Sequence, residues 1–120
     1  MAHLKELGLM PKIDEDGDIA FTYQMVHFAV IASEGDDYFL RMTIPNIYDV
    51  DDNNRLDVLE ACNKASLMVK VAKVFIAPND NVWIAAEQLL DKTPNYEDVI
   101  PRTIRILMSA MAAFRREIDE

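Results

Sequence analysis

The chain has 120 residues, of which 51% are apolar and 28% charged, and it carries a net charge of −9 at neutral pH. This composition is globular, the length suits one domain spanning residues 1–120, and no apolar run is long enough to cross a bilayer. Residues 1–60 hold 13 acidic and 4 basic side chains while residues 61–120 hold eight of each, and a negative field of this kind makes nucleic acid and anionic membranes poor partners.

Residues 2–7 form a short helix that ends at Gly8, with Leu9 packing back on Leu4. An acidic turn, Asp14-Glu15-Asp16-Gly17-Asp18, opens an alternating stretch in which Ile19, Phe21 and Tyr23 share a face. Val26, Phe28, Val30 and Ala32 repeat the alternation after a tight connection. Tyr38, Leu40, Met42 and Ile44 repeat it again after the Glu34-Gly35-Asp36-Asp37 turn. Period-two patterns bounded by Gly and Asp clusters predict three antiparallel strands in a meander, stopped by Pro45.

A helix follows from about Asn54 to Val71. One stripe on it holds Leu56, Leu59, Asn63 and Leu67, and an adjacent one holds Val58, Cys62, Ala65 and Val69. So wide an apolar arc predicts a helix that is largely buried, or buried on one side and paired on another. Asn63 falls on the apolar side, where its amide needs a partner such as a neighbouring strand's backbone. Residues 72–77 and 82–87 flank Pro78-Asn79-Asp80-Asn81 and predict a second hairpin. The last helix is marked by Ile100, Ile104, Leu107, Met111, Phe114 and Ile118 at 4-3-4-3-4 spacing. Pro101 belongs in a first turn, which puts the helix start near Glu97 or Asp98. The predicted class is α+β, in the order α-βββ-α-ββ-α, with an antiparallel sheet packed against helices.

The start of the chain lacks the basic and apolar regions of a secretory signal, and the single cysteine, Cys62, suits a reducing compartment; cytoplasm is the expected location. Cys62 reads as a small buried hydrophobe. His3 and His27 are the only histidines, so a zinc ligand set is missing. Ser33, Ser66 and Ser109 have no nucleophile-elbow context, and three scattered glycines cannot build a phosphate loop. No catalytic residue and no cofactor are expected.

One motif points to a metal. Counted from Asp49 to Glu60, a twelve-residue calcium loop would place oxygen side chains of Asp49, Asp51, Asn53, Asp57 and Glu60 at positions 1, 3, 5, 9 and 12. Asn54 stands where glycine is usual, and a strand rather than a helix precedes the loop. The competing reading is a solvated loop whose Asp and Asn side chains cap the following helix. A calcium-responsive regulator is the alternative function this motif would support.

The helix ending in Gly8, the Asp16-Gly17-Asp18 turn, the strands to Ile44, the helix around Cys62-Asn63-Lys64-Ala65-Ser66 and the hairpin at Asn79-Asp80-Asn81 together resemble the YbjN-like family. Its members are described as candidate bacterial sensory-transduction regulators and share the element order of class I type III secretion chaperones. The family's middle helix often carries a second Asn where this chain has Ser66 or Leu67. The resemblance implies a secretion-chaperone-like fold, no catalytic residues, and a non-enzymatic protein-interaction or regulatory module. It also implies a homodimer and a protein or peptide partner, bound at edge strands or the broadly apolar middle helix.

Overall fold

The computed structural model describes residues 4–5, 8–13, 18–31, 39–90 and 95–119. Strands β1 (Lys12–Ile13), β2 (Ile19–Tyr23), β3 (Val26–Val30) and β4 (Phe39–Ile44) precede helix α1 (Arg55–Met68). Strands β5 (Ala72–Ala77) and β6 (Asn81–Leu89) then lead to helix α2 (Tyr96–Asp119). All six strands form one antiparallel sheet in the order β1-β2-β3-β4-β6-β5.

The predicted meander is β2-β3-β4. Its first turn is tight because Gln24 (φ 49°) and Met25 (φ 66°) both adopt positive φ, the requirement of a two-residue turn that follows strand twist. Phe21 and Phe28 pair across this hairpin with stacked rings 5.1 Å apart. The turns at residues 14–17 and 34–37 lie outside the described residues, as does most of the N-terminal helix. Its end is visible. Gly8 at φ 77° donates its N–H to Lys5 O while the Leu9 N–H bonds Leu4 O, the paired bonds of a Schellman cap, and Leu4 is buried.

The hairpin at 78–81 forms as predicted, with β6 continuing to Leu89. Helix α1 stops at Met68, earlier than expected, because Val69 is extended and Val71 takes φ 72°. Helix α2 starts at Tyr96, which leaves Pro101 past the first turn. The missing Pro101 N–H orphans only the carbonyl of exposed Glu97, so the helix continues through it. Strand β1 went unpredicted: two exposed residues carry no periodicity.

Both helices pack together and against the β5-β6 half of the sheet. Met42, Ile44, Val82, Ile84, Leu107 and Phe114 are among the buried side chains that join them in one cluster. Polar satisfaction supports this packing: Thr103 donates to Val99 O and accepts from Gln88 at 2.7 Å, so its hydroxyl is buried without cost.

Candidate functional site

Helix α1 is apolar around most of its circumference, and the sheet and α2 take only one side of it. Val58, Ala61, Cys62 and Ala65 are buried. The stripe of Leu56, Leu59, Asn63 and Leu67 faces outward, with Leu56 69% and Leu67 79% exposed. Asn63 is therefore not the buried amide expected from sequence; it is exposed and needs no protein partner. Two apolar stripes of near-equal strength left periodicity unable to choose the inward one.

The bond expected of Asn63 is made by Ser66. Its Oγ accepts from the Val74 N–H at 2.9 Å and donates to the Val74 C=O at 3.4 Å, tying the helix to edge strand β5. That link covers the middle of the sheet edge, which protects it from strand addition there. Beside it runs an open groove of about 680 Å³, walled by Leu59, Asn63 and Ser66 of α1 and by Val74 to Pro78. Arg55 and Asp80 close one end with an ion pair at 2.8 Å. Cys62 lines the inner wall; burial pushes its thiol up to about 11, which removes thiolate chemistry near neutral pH.

The acidic loop is organised around backbone groups. Asp51 Oδ1 accepts from the N–H groups of Asn53 (2.9 Å) and Asn54 (3.0 Å), and Asn54 Oδ1 accepts from Asp51 N–H at 2.8 Å. These reciprocal bonds close a turn just ahead of α1, whose own N-cap, Asn54, makes no side-chain bond to the helix N–H groups. Asp49 Oδ1 accepts from Asn81 Nδ2 at 2.6 Å, and Asn81 Oδ1 in turn holds Tyr48 N–H, which fastens the loop to the β5-β6 turn. Asp57 and Glu60 border a different groove, beside Lys64 and Glu117. Among the described residues no three Asp, Glu, His or Cys side chains gather as a metal site would need. His27 is exposed, with Nδ1 3.2 Å from Thr22 Oγ1, and His3 lies outside the described residues.

On the sheet face away from the helices, Glu87 meets Lys73 at 2.5 Å and Arg41 at 3.6 Å. The hydrogen bond from Lys73, with the charges of Lys73 and Arg41, holds the Glu87 carboxyl below its usual range. This trio is charge-balanced to within one unit and sits across neighbouring strands, so it reads as sheet-face pairing. Among the described residues no helix is long and apolar enough to cross a membrane.

No family model matches the chain, and no curated protein does so. Solved structures do. An uncharacterized protein from Methanothermobacter thermautotrophicus superposes with TM-score 0.63 at 16% identity, covering 98% of this chain and 92% of that one. YbjN from E. coli, described as a candidate transcription regulator, gives TM-score 0.72 at 11% identity over 94% of this chain and 84% of that one. A chain of the HopA1-SchA chaperone-effector complex gives 0.68 at 10% identity over 96% and 88%. At these identities the likeness is one of fold: the chain has the α+β architecture shared by YbjN and the chaperone-effector structure.

Proposed function

We propose that the chain is a non-enzymatic protein-interaction module, chaperone-like or regulatory, that acts as a homodimer in the cytoplasm. The observation that carries this reading is the leucine stripe of α1. Fourteen helical residues make a ridge about 20 Å long. The ridge carries Leu56, Leu59 and Leu67 into solvent beside the groove of edge strand β5. Apolar side chains aligned this way on a helix otherwise locked into the core are the composition of an interface centre. Two copies of a self-complementary ridge related by a two-fold axis would cover each other. The fold likeness to a chain of a chaperone-effector complex supports protein binding as the role.

Light-scattering chromatography tests it. The wild-type chain should elute at twice its 13.7 kDa mass, and Leu59→Glu with Leu67→Glu should elute as a folded monomer. A wild-type chain that stays monomeric at every concentration, and that captures no protein from its host lysate, would overturn the reading.

A further inference from the structure

A second groove opens on the other side of the α1 C-terminus, where Met68, Lys70 and Val71 face Arg102, Arg105 and Ile106 of α2 across about 550 Å³. Its floor is apolar: Met68 is 60% and Val71 53% exposed, and Ile106 is half-buried. Its rim is basic. Arg102 is held by Asp98 at 3.3 Å, whereas Lys70 and Arg105 are exposed and make no ion pair among the described residues. On a chain of net charge −9, cations that make no ion pair among the described residues, set beside exposed apolar side chains, invert the local sign.

The backbone at the lip of this groove is unusual. Val71 has φ 72°, and the Ala72 N–H bonds Lys70 O at 2.8 Å across it, forming a γ-turn of positive φ centred on a β-branched residue. Such a turn is strained, and strain of this kind collects at binding sites. Here it holds Val71 outward between Lys70 and α2.

We propose that this groove docks an acidic amphipathic peptide segment of a partner protein, with apolar side chains on Met68, Val71 and Ile106 and carboxylates on Lys70 and Arg105. The proposal rests on the reading of the chain as a protein-binding module and adds a second surface with its partner's chemistry. A phosphate backbone would gain nothing from the apolar floor and would meet the negative field of the rest of the chain. Charge complementarity selects the peptide.

Fluorescence anisotropy on the full chain tests this with three labelled probes: a short peptide alternating leucine and glutamate, its leucine-lysine counterpart, and a poly-dT oligonucleotide. The leucine-glutamate peptide should bind best and weaken between about 50 and about 300 mM salt. Lys70→Glu with Arg105→Glu should weaken it about tenfold or more. Met68→Ser should weaken it at unchanged salt dependence. Leu59→Glu with Leu67→Glu, on the α1 ridge, should leave it unchanged while abolishing the dimer, which separates failure of this proposal from failure of the homodimer reading. Equal binding of both peptides, tighter binding of the oligonucleotide, or indifference to the double charge reversal would overturn it. So would conversion of the dimer to monomer by that reversal, since the groove's occupant would then be a second copy.

Discussion

Ser66 Oγ holds the Val74 N–H at 2.9 Å and thereby links the middle of helix α1 to the middle of edge strand β5. Removing the hydroxyl by Ser66→Ala leaves a half-buried N–H and C=O without their partner. The expected cost is about 1–2 kcal/mol in chemical denaturation. Amide exchange at Val74 should quicken more than at Ile84, its neighbour inside the sheet. An unchanged exchange rate at Val74 would mean that the link does not protect the edge.

The two faces of α1 differ in what they contribute, although both are apolar. Val58 of α1 is fully buried in the core cluster, so Val58→Ala should cost about 2 kcal/mol. Leu67→Ser on the outward stripe should change the monomer's stability by less than about 0.5 kcal/mol. Thermal melts of both variants in dilute solution distinguish them. A large loss at Leu67 in a monomeric chain would place that side chain in the core.

Much of this architecture was legible in residue order. Alternation located β2, β3 and β4, the Pro78-Asn79-Asp80-Asn81 turn located the hairpin, and the 4-3-4-3-4 stripe located the buried face of α2. The orientation of α1 was not legible, because Leu56-Leu59-Leu67 and Val58-Cys62-Ala65 are equally apolar and only tertiary packing decides between them. For the same reason periodicity marks Asn63 as the amide that needs a partner such as a strand backbone, whereas the side chain that makes such a bond is Ser66. The basic groove could not be read at all. Lys70 and Arg105 are far apart in sequence, and only the packing of α1 against α2 brings them to one rim.

Val71 offers a test of backbone strain. At φ 72° a β-branched side chain is disfavoured, and glycine is not. Val71 is more than half exposed, so Val71→Gly loses little burial. Relief of strain should exceed the extra flexibility of an unfolded glycine, and stability should rise by about 1 kcal/mol. A drop in the denaturation midpoint would contradict the strained turn. If the turn serves docking, the same variant should bind the leucine-glutamate peptide more weakly despite being more stable.

Acid should weaken the sheet face that carries Glu87. The hydrogen bond from Lys73, with the nearby charges of Lys73 and Arg41, lowers the Glu87 pKa from its ordinary 4.5. A carboxyl whose folded value is depressed stabilises the fold fully above its unfolded value. That contribution is lost as pH falls through the folded one, so the window lies below about 4.5. Lys73 is 56% exposed, so the effect is screened and small. Glu87→Gln should be slightly less stable than wild type at neutral pH, and the gap should close in acid and in high salt. A gap that persists in acid would point to packing rather than charge.

In the loop from Asp49 to Glu60, Asp49 and Asp51 are already engaged in local hydrogen bonds. In a calcium loop the side chains of Asp49, Asp51, Asn53, Asp57 and Glu60 would converge on one ion. Here one oxygen of Asp51 already holds two backbone N–H groups and one oxygen of Asp49 holds the Asn81 amide, while Asp57 and Glu60 border another groove. Recruiting them to calcium would break the hydrogen-bonded turn ahead of α1 and the tie to the β5-β6 turn together. Isothermal titration with calcium should therefore give no binding heat, and melting temperature should not move with added calcium. Asp51→Ala should instead cost about 1 kcal/mol with or without calcium, because what it removes is the hydrogen-bonded turn that leads into α1. A calcium-dependent rise in melting temperature, lost in Asp51→Ala, would restore the metal reading and show that the loop rearranges to bind.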